Sequence, residues 1–133
     1  MNARPLLVAL VVAGLAGGVA QSSSDTQVKQ LFVKPLADLP GKEGLMLEVN
    51  YPPGGKDEIH RHDAHAFVYV LEGTIRMQLQ GQPEKTLKAG EVFYEGPKDV
   101  HLVGRNASAT DPARFVVVLI KNQGAPVLTP VKQ

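Results

Sequence analysis

The stretch EIHRHDAHAF, residues 58–67, holds three of the four histidines of the chain within six positions. The fourth histidine, His101, lies far along the sequence in GPKDVHLVG, residues 96–104. Residues two apart in a β-strand point to the same side, so the imidazoles of His60 and His62 are expected to project together. Two imidazoles in this arrangement can bind one cation, at roughly 2.0 to 2.1 Å from each ring nitrogen. The stretch therefore predicts a strand that carries two ligands of a metal site.

A third ligand has to come from another part of the chain, and His101 is the one distant histidine. Three ligands from two segments would fix a metal ion in space and leave coordination positions open for another molecule. The alternative is that these histidines are exposed or hydrogen-bonded side chains, which occur in any β-protein. The predicted metal ligands are His60, His62 and His101, and cysteine is excluded because the chain contains none.

Around the histidines the chain consists of short apolar runs separated by glycine and proline. TIRMQLQ, residues 74–80, is the clearest run, with an apolar residue at every second position. This period is typical of a half-buried strand, and the runs at 67–71 and 115–120 are rich in β-branched and aromatic residues. Between two runs, Glu72 and Gly73 are expected to close a hairpin. The pattern predicts a single all-β domain, either a sandwich or a barrel.

The first part of the chain has the pattern of a targeting segment. Residues 1–20 are predicted to be a signal peptide, because Arg4 precedes an apolar run and small residues come just before Gln21. The apolar run from Leu6 to Ala20 has fifteen residues, whereas a membrane-spanning helix needs about 20. We therefore expect cleavage and export, to the periplasm or outside the cell, rather than an uncleaved membrane anchor.

The remaining residues divide into a polar linker, 21–27, and a domain, 28–133. Arg4 is one of 14 basic residues, so cleavage leaves as many basic as acidic residues, of which there are 13. A neutral mature chain has no electrostatic signature of nucleic-acid binding or, after signal cleavage, of membrane binding. Since there is no cysteine for disulfides, stability must come from packing, with a metal or a partner subunit as additional sources.

The frame around the histidines resembles the cupin family, whose motifs read G-x5-H-x-H-x3/4-E-x6-G and G-x5-P-x-G-x2-H-x3-N. Three of the motif glycines and all three motif histidines occur here in matching register, at Gly54, His60, His62, Gly73, Gly90 and His101. The two motifs span residues 54–106, about half of the mature chain. The resemblance implies a cupin-type β-barrel, a jelly-roll-like double-stranded β-helix, with a divalent metal bound by the three histidines.

The chain departs from both motifs. In the second motif, Gly96 and Lys98 stand where proline and glycine are expected, and the asparagine comes one residue late, as Asn106. These changes indicate a reshaped turn. In the first motif the glutamate is expected at position 66, where this chain has Ala66. The anionic ligand is therefore expected to be missing from the site.

Three neutral imidazoles would leave a divalent cation with its full charge, which favours an anionic external ligand. An all-nitrogen set suits Fe, Zn, Cu or Ni better than Mg, Ca or Mn. Two residues are alternatives to the missing glutamate: His65, which strand alternation turns to the opposite side, and Glu58, which shares the parity of His60. Four further side chains are candidates for lining a pocket, with barrel or surface positions as the equal alternative: Tyr69, Arg76, Tyr94 and Glu95.

Two classes of function follow. Resemblance to three-histidine cupin dioxygenases implies an oxygenase-type enzyme acting on a small oxygenated organic substrate, with no catalytic base identified. The alternatives are a non-catalytic module that binds a small molecule or a metal, and a cupin that kept its fold and lost its metal. The resemblance also implies a homodimer formed through edge strands, because the run at 28–33 needs cover. Metal affinity is expected to fall as the pH drops through roughly 6 to 5, since ligating imidazoles must be neutral.

Overall fold

The computed structural model describes residues 25–133; the predicted signal peptide and most of the predicted linker lie outside the described residues. Within them the chain forms ten β-strands and no helix. The strands are β1 (Gln27–Pro35), β2 (Lys42–Tyr51), β3 (His60–Arg61), β4 (His65–Glu72), β5 (Thr74–Leu79), β6 (Lys85–Lys88), β7 (Val92–Glu95), β8 (His101–Asn106), β9 (Ala113–Asn122) and β10 (Thr129–Pro130). The part of the chain from residue 25 onward contains no helix with the length and apolar character to cross a membrane.

The strands form two five-stranded antiparallel sheets, in the orders β1-β2-β9-β4-β7 and β10-β3-β8-β5-β6. This confirms the predicted all-β architecture. The prediction of a hairpin at Glu72 and Gly73 is wrong, because β4 and β5 do not pair with each other. β4 pairs with β7 and β9, whereas β5 pairs with β6 and β8. Gly73, with φ of 75°, instead turns the chain from one sheet into the other.

The interior between the sheets is filled by alternate side chains of the strands. In β2 and β9 every second residue is buried over most of the strand, as the period-two pattern predicts. From the other sheet, Ile75, Met77 and Leu79 point into the same core. Each large apolar side chain removed from water contributes about 1.5–3 kcal/mol. Packing of this core therefore carries the stability of the fold and holds the strands that position the polar site.

The strand through EIHRH is shorter than predicted and contains only two residues, His60–Arg61. It lies between β10 and β8, and its pairing with β8 places His60 directly opposite His101. A cross-strand pair in an antiparallel sheet projects its side chains to the same face. The local fold therefore brings the two histidine motifs together at one point of the barrel interior.

Gly73 and Gly81 form a matched pair for testing the turns, because both have positive φ, 75° and 80°. A Cβ at position 73 would lie 2.6 Å from the backbone oxygen of Pro112, whereas a Cβ at position 81 would meet nothing within 4 Å. We expect Gly81→Ala to cost about 1–2 kcal/mol from backbone conformation alone. Gly73→Ala should cost a further ~1–3 kcal/mol from overpacking. Urea denaturation followed by circular dichroism measures both, and equal losses would contradict the close packing of the Gly73 turn.

Candidate metal centre

Four side chains converge inside the barrel at one end of the two sheets: His60, His62, Glu95 and His101. One potential ligand atom from each lies within 4.8 Å of all the others. The Nε2 atom of His60 is 3.1 Å from Nε2 of His62 and 3.3 Å from Nδ1 of His101. Three of the residues are buried, and the side chain of His62 is 12% exposed. The structure thus brings the three predicted histidines together, while metal binding by them stays a prediction.

The expectation that the site lacks a carboxylate is wrong. Glu95, the last residue of β7, places Oε1 2.7 Å from Nδ1 of His101 and Oε2 3.0 Å from Nε2 of His62. Glu95 pairs across the strands with Ala66, the position where the family motif expects its glutamate. Because paired residues of antiparallel strands project to the same face, the neighbouring strand supplies the carboxylate that β4 lacks.

The hydrogen bonds behind two of the rings fix which ring nitrogen faces the cluster. Nδ1 of His60 donates to the backbone oxygen of Glu58 at 2.7 Å, and Nδ1 of His62 donates to that of Val127 at 2.7 Å. A neutral ring that donates from Nδ1 presents an unprotonated Nε2 on its other side. Metal-ligating histidines in proteins are held by bonds of this kind to backbone carbonyls.

The inward-facing atoms are therefore acceptors when the rings are neutral. Two imidazole lone pairs and a carboxylate at about hydrogen-bond distance repel each other unless a proton or a cation lies between them. His101 contributes a third ring nitrogen to the cluster, because its Nδ1 faces Glu95. Its buried Nε2 has no hydrogen-bond partner among the described residues. The donor set thus fits a divalent metal ion.

The charges of the cluster are coupled. Burial lowers the pKa of His60, and the neighbouring His101 and His62 rings lower it further. Burial alone would lower the pKa of His62, but the hydrogen bond and charge of Glu95 outweigh burial and raise it. Burial would raise the pKa of Glu95, yet its hydrogen bonds to His101 and His62 prevail and bring the pKa to about 2. Glu95 is therefore ionised and brings a negative charge to the point where the ring nitrogens converge.

The alternatives to the missing glutamate lie outside the cluster. His65 points to the outer face of β4, as strand alternation predicts, with Nδ1 2.7 Å from the hydroxyl of Tyr94. Glu58 is exposed and contributes its backbone oxygen to His60 rather than its carboxylate.

Of the four candidates for lining a pocket, Glu95 alone belongs to the cluster. Tyr69 and Tyr94 lie exposed on the outer face, and Arg76 forms an ion pair with Glu84. A signal for Glu95 was present in the sequence: in VFYE, residues 92–95, Glu95 shares the inward parity of Phe93.

The cluster opens onto a cavity of about 80 Å³ inside the barrel. Apart from the four polar residues, Asp57 and Thr26, the walls are apolar. They include Leu47, Met77, Phe115, Val117 and Leu119 from the strands, together with Val127 and Leu128 from the C-terminal segment. A molecule next to the cluster would therefore be surrounded by apolar side chains on most sides.

Three nitrogens and one carboxylate oxygen make a mixed donor set, and the residues could hold a metal ion. Imidazole suits Fe, Zn, Cu and Ni, as expected from the histidines alone. The carboxylate adds a hard oxygen, which suits Mn as well. The expected preference against Mn therefore loses its basis, and the geometry leaves the identity of the metal open.

Comparisons with known proteins agree with this fold. The sequence profile of the Cupin domain matches residues 47–119. No curated protein matches the chain in sequence. Among solved structures, an uncharacterised conserved protein of Klebsiella pneumoniae with a double-stranded β-helix domain has a TM-score of 0.66 at 17% identity, covering 84% of this chain and 89% of that one.

Two enzymes of known activity are also similar in structure. Oxalate oxidase in complex with the substrate analogue glycolate has a TM-score of 0.63 at 23% identity, covering 84% of this chain and 57% of that one. A DMSP lyase of Ruegeria pomeroyi has a TM-score of 0.58 at 18% identity, covering 66% and 43%. The chain thus spans about half the length of these enzymes. Since the profile matches more than half of the chain and the two sheets form the barrel that its motifs imply, the chain belongs to the cupin family.

Proposed function

We propose that this cupin binds a divalent transition metal through His60, His62, Glu95 and His101 and carries out oxygenase-type chemistry on a small oxygenated organic anion. The observation that carries the proposal is the convergence of four ligand atoms on the edge of an apolar cavity. The runner-up is a non-catalytic module that captures a small molecule at the same site.

The charge of the site supports an anion as its ligand. Neutral imidazoles and the ionised Glu95 leave a divalent cation with one uncompensated positive charge. A net charge that faces apolar walls is costly unless an opposite charge accompanies it. A monoanion, such as a small carboxylate, would neutralise the metal and its four ligands, whereas the Asp57 carboxylate in the same cavity disfavours a dianion.

The size of the cavity limits the substrate to a few non-hydrogen atoms. Its volume is about 80 Å³, whereas one water molecule takes about 30 Å³ of the liquid. Pockets for drug-sized ligands have roughly 300–1,000 Å³. The glycolate bound by the similar oxalate oxidase is a two-carbon acid, which supports a substrate of this size class.

A metal bound here would polarise a substrate oxygen as a Lewis acid and, as iron or copper, could exchange electrons with dioxygen. The residues of the chain do the rest. The carbonyls of Glu58 and Val127 hold the rings of His60 and His62 in position. Leu119, which is fully buried, and the other apolar wall residues exclude water from the substrate.

Glycolate binding tests the proposed function. We expect protein loaded with Fe(II) or Zn(II) to bind glycolate at least about tenfold more tightly than metal-free protein, because anion and metal attract directly. Benzoate, which exceeds the cavity, is the oversized control, and the His60→Ala, His101→Ala double variant should lose both metal and glycolate binding. Isothermal titration calorimetry measures the affinities. Equal glycolate binding with and without metal would contradict the proposal.

Oxygen consumption separates the two candidate functions. If the iron-loaded protein is an oxygenase, an oxygen electrode should record uptake that depends on a small hydroxy or keto acid. Saturable binding of such acids without uptake would instead favour the binding module. The double variant serves as the control for oxygen consumed by free iron.

Metal affinity should fall on acidification, because protons and metal compete for the same ring nitrogens. The pKa of His62 is raised above its ordinary 6.5, so the loss of metal affinity begins near neutral pH. Glu95, with a pKa of about 2, stays ionised throughout. We expect zinc affinity, measured by calorimetry, to drop at least about tenfold between pH 7 and pH 5. In Glu95→Gln the drop should begin at lower pH, since the charge that raises the pKa of His62 is gone. A flat profile in the wild type would contradict histidine ligation.

We propose a second copy of the chain as the partner of the outer face of the sheet β1-β2-β9-β4-β7. A row of apolar side chains crosses all five strands in register, and its members are Phe32, Met46, Val118, Phe67 and Tyr94. Phe32, Phe67 and Tyr94 are 56%, 49% and 45% exposed. The next row adds Tyr69 and Val92, also exposed. Exposed apolar faces of this kind are typical of protein interfaces.

The area of the face suits a dimer. Strands lie about 4.8 Å apart and residue rows about 6.8 Å apart, with four rows on each of four strands and two on the shorter β7, which gives a face of roughly 590 Å². Two copies would bury about 1,200 Å², at the lower end of the roughly 1,200–2,000 Å² of stable interfaces. The same patch on both subunits can pair through a two-fold axis. The proposed contact is therefore this sheet face, whereas the sequence had suggested edge strands.

Sedimentation velocity tests the dimer. We expect the wild type to sediment as a dimer at micromolar concentration and Phe67→Lys as a folded monomer, since the lysine places a charge within the apolar row. Thr86→Lys, an exposed change on the other sheet, should leave the dimer intact. A wild-type monomer at these concentrations would contradict the interface.

A further inference from the structure

A second carboxylate lies beside the metal centre and is not one of its four converging side chains. Asp57 is half-buried and lines the same cavity as the histidines and Glu95. Its backbone is fixed, because its N–H donates to the oxygen of Gly104 at 2.8 Å and the preceding Lys56 forms an isolated β-bridge with Arg105. The side chain is therefore presented to the cavity from a well-anchored position.

Tyr51 holds the Asp57 carboxylate in one orientation. Tyr51 ends β2, is 1% exposed, and packs its ring edge-on against Phe115 with centroids 5.1 Å apart. Its hydroxyl donates to Oδ2 of Asp57. Burial, and then the charge of Asp57, raise the pKa of Tyr51 well above its ordinary value, so the hydroxyl remains a donor. Among the described residues no other hydrogen bond reaches the Asp57 carboxylate, which leaves Oδ1 available.

Gly104 shows how closely these groups approach the metal ligands. A Cβ at position 104 would lie 3.0 Å from Cε1 of His101, 3.1 Å from Oδ2 of Asp57 and 3.1 Å from the hydroxyl of Tyr51. The three groups thus surround one point that only glycine leaves open. The Asp57 carboxylate is a neighbour of the His101 ring, and no hydrogen bond joins the two.

Asp57 also faces outward. Together with His60 and Leu128 it lines a second pocket of about 210 Å³, in addition to the cavity at the metal centre. A carboxylate that lines both the cavity and this second pocket is positioned to pass a proton from one to the other. General bases need this geometry, with hydrogen-bond reach to the substrate and a way to return the proton to water.

We propose that Asp57 is the proton acceptor of the metal site and that Tyr51 is the residue that positions it. The inference rests on the proposed function, since it requires a substrate in the cavity. The substrate class is a small acid with an O–H group, such as a 2-hydroxy acid. The O–H bond breaks, its electron pair stays on the substrate oxygen, and the proton moves to Oδ1 of Asp57. Asp57 holds the proton while the substrate stays bound, and the proton passes to water through the second pocket when the substrate leaves, so no further reactant is needed.

The test counts protons when zinc-loaded protein binds acetohydroxamate, a small acid that is protonated at neutral pH and binds metals after losing its hydroxyl proton. Calorimetry in two buffers of different ionisation enthalpy gives the number of protons released. In the wild type Asp57 should retain the proton. Asp57→Asn, which keeps the shape and still accepts from Tyr51, should release about one proton more per ligand and bind at least about tenfold more weakly. Tyr51→Phe should fall between the two.

Controls separate this inference from the proposed function. Asp63→Asn, whose parent side chain is 55% exposed, should behave as the wild type. Asp57→Asn should bind zinc within about threefold of the wild type, because Asp57 is not a ligand; a larger loss would assign Asp57 to metal binding and overturn its role as proton acceptor. Equal proton release in wild type and Asp57→Asn, with zinc and acetohydroxamate both bound, would overturn the inference alone. Failure of the wild type to bind zinc would overturn both.

Discussion

The carboxylate of Glu95 bonds to His101 and His62 inside a barrel whose other inward side chains are mostly apolar. A buried charge is costly unless it is paired, and these contacts lower the pKa of Glu95 to about 2 despite its burial. The positions of the rings follow from the same requirement. His60 and His62 donate outward to backbone carbonyls and turn their Nε2 atoms toward the centre of the cluster. The site, its charge and its choice of ligand all depend on this one arrangement.

Much of the fold could be predicted, because it follows from patterns within short stretches of the sequence. Alternation in TIRMQLQ predicts which face is buried, and Ile75 and Met77 are indeed in the core. Spacing in the two motifs predicts that His60 and His101 meet, and cross-strand pairing places them opposite each other. The turn at Gly73 could not be predicted in the same way. Glycine there is compatible with a hairpin and with a crossover between sheets, and only long-range pairing decides between them.

The carboxylate ligand shows more clearly which part of the site could not be predicted from the sequence. In the sequence, Ala66 at the motif position indicates that the carboxylate ligand is absent, and the family motif offers no other position for a carboxylate. The replacement comes from a residue 29 positions later that pairs with Ala66 across the sheet. The register between β4 and β7 depends on tertiary structure. The shared parity of Glu95 and Phe93 therefore indicates that Glu95 points inward, but not which residues it meets there. Asp57 and Tyr51 were missed for the same reason, since their contact depends on how the loop before β3 folds back on β2.

The most direct test of the metal centre is a crystal structure of the protein grown with zinc, with anomalous diffraction measured at the zinc absorption edge. Zinc binding by the four side chains predicts one interior anomalous peak, at roughly 2.0 to 2.3 Å from a nitrogen of each of the three histidines and from an oxygen of Glu95. A zinc ion bound by the three rings with Glu95 turned away would contradict the assigned carboxylate. Zinc found only on the surface, with the four side chains bonded to one another or to water, would contradict the metal centre itself.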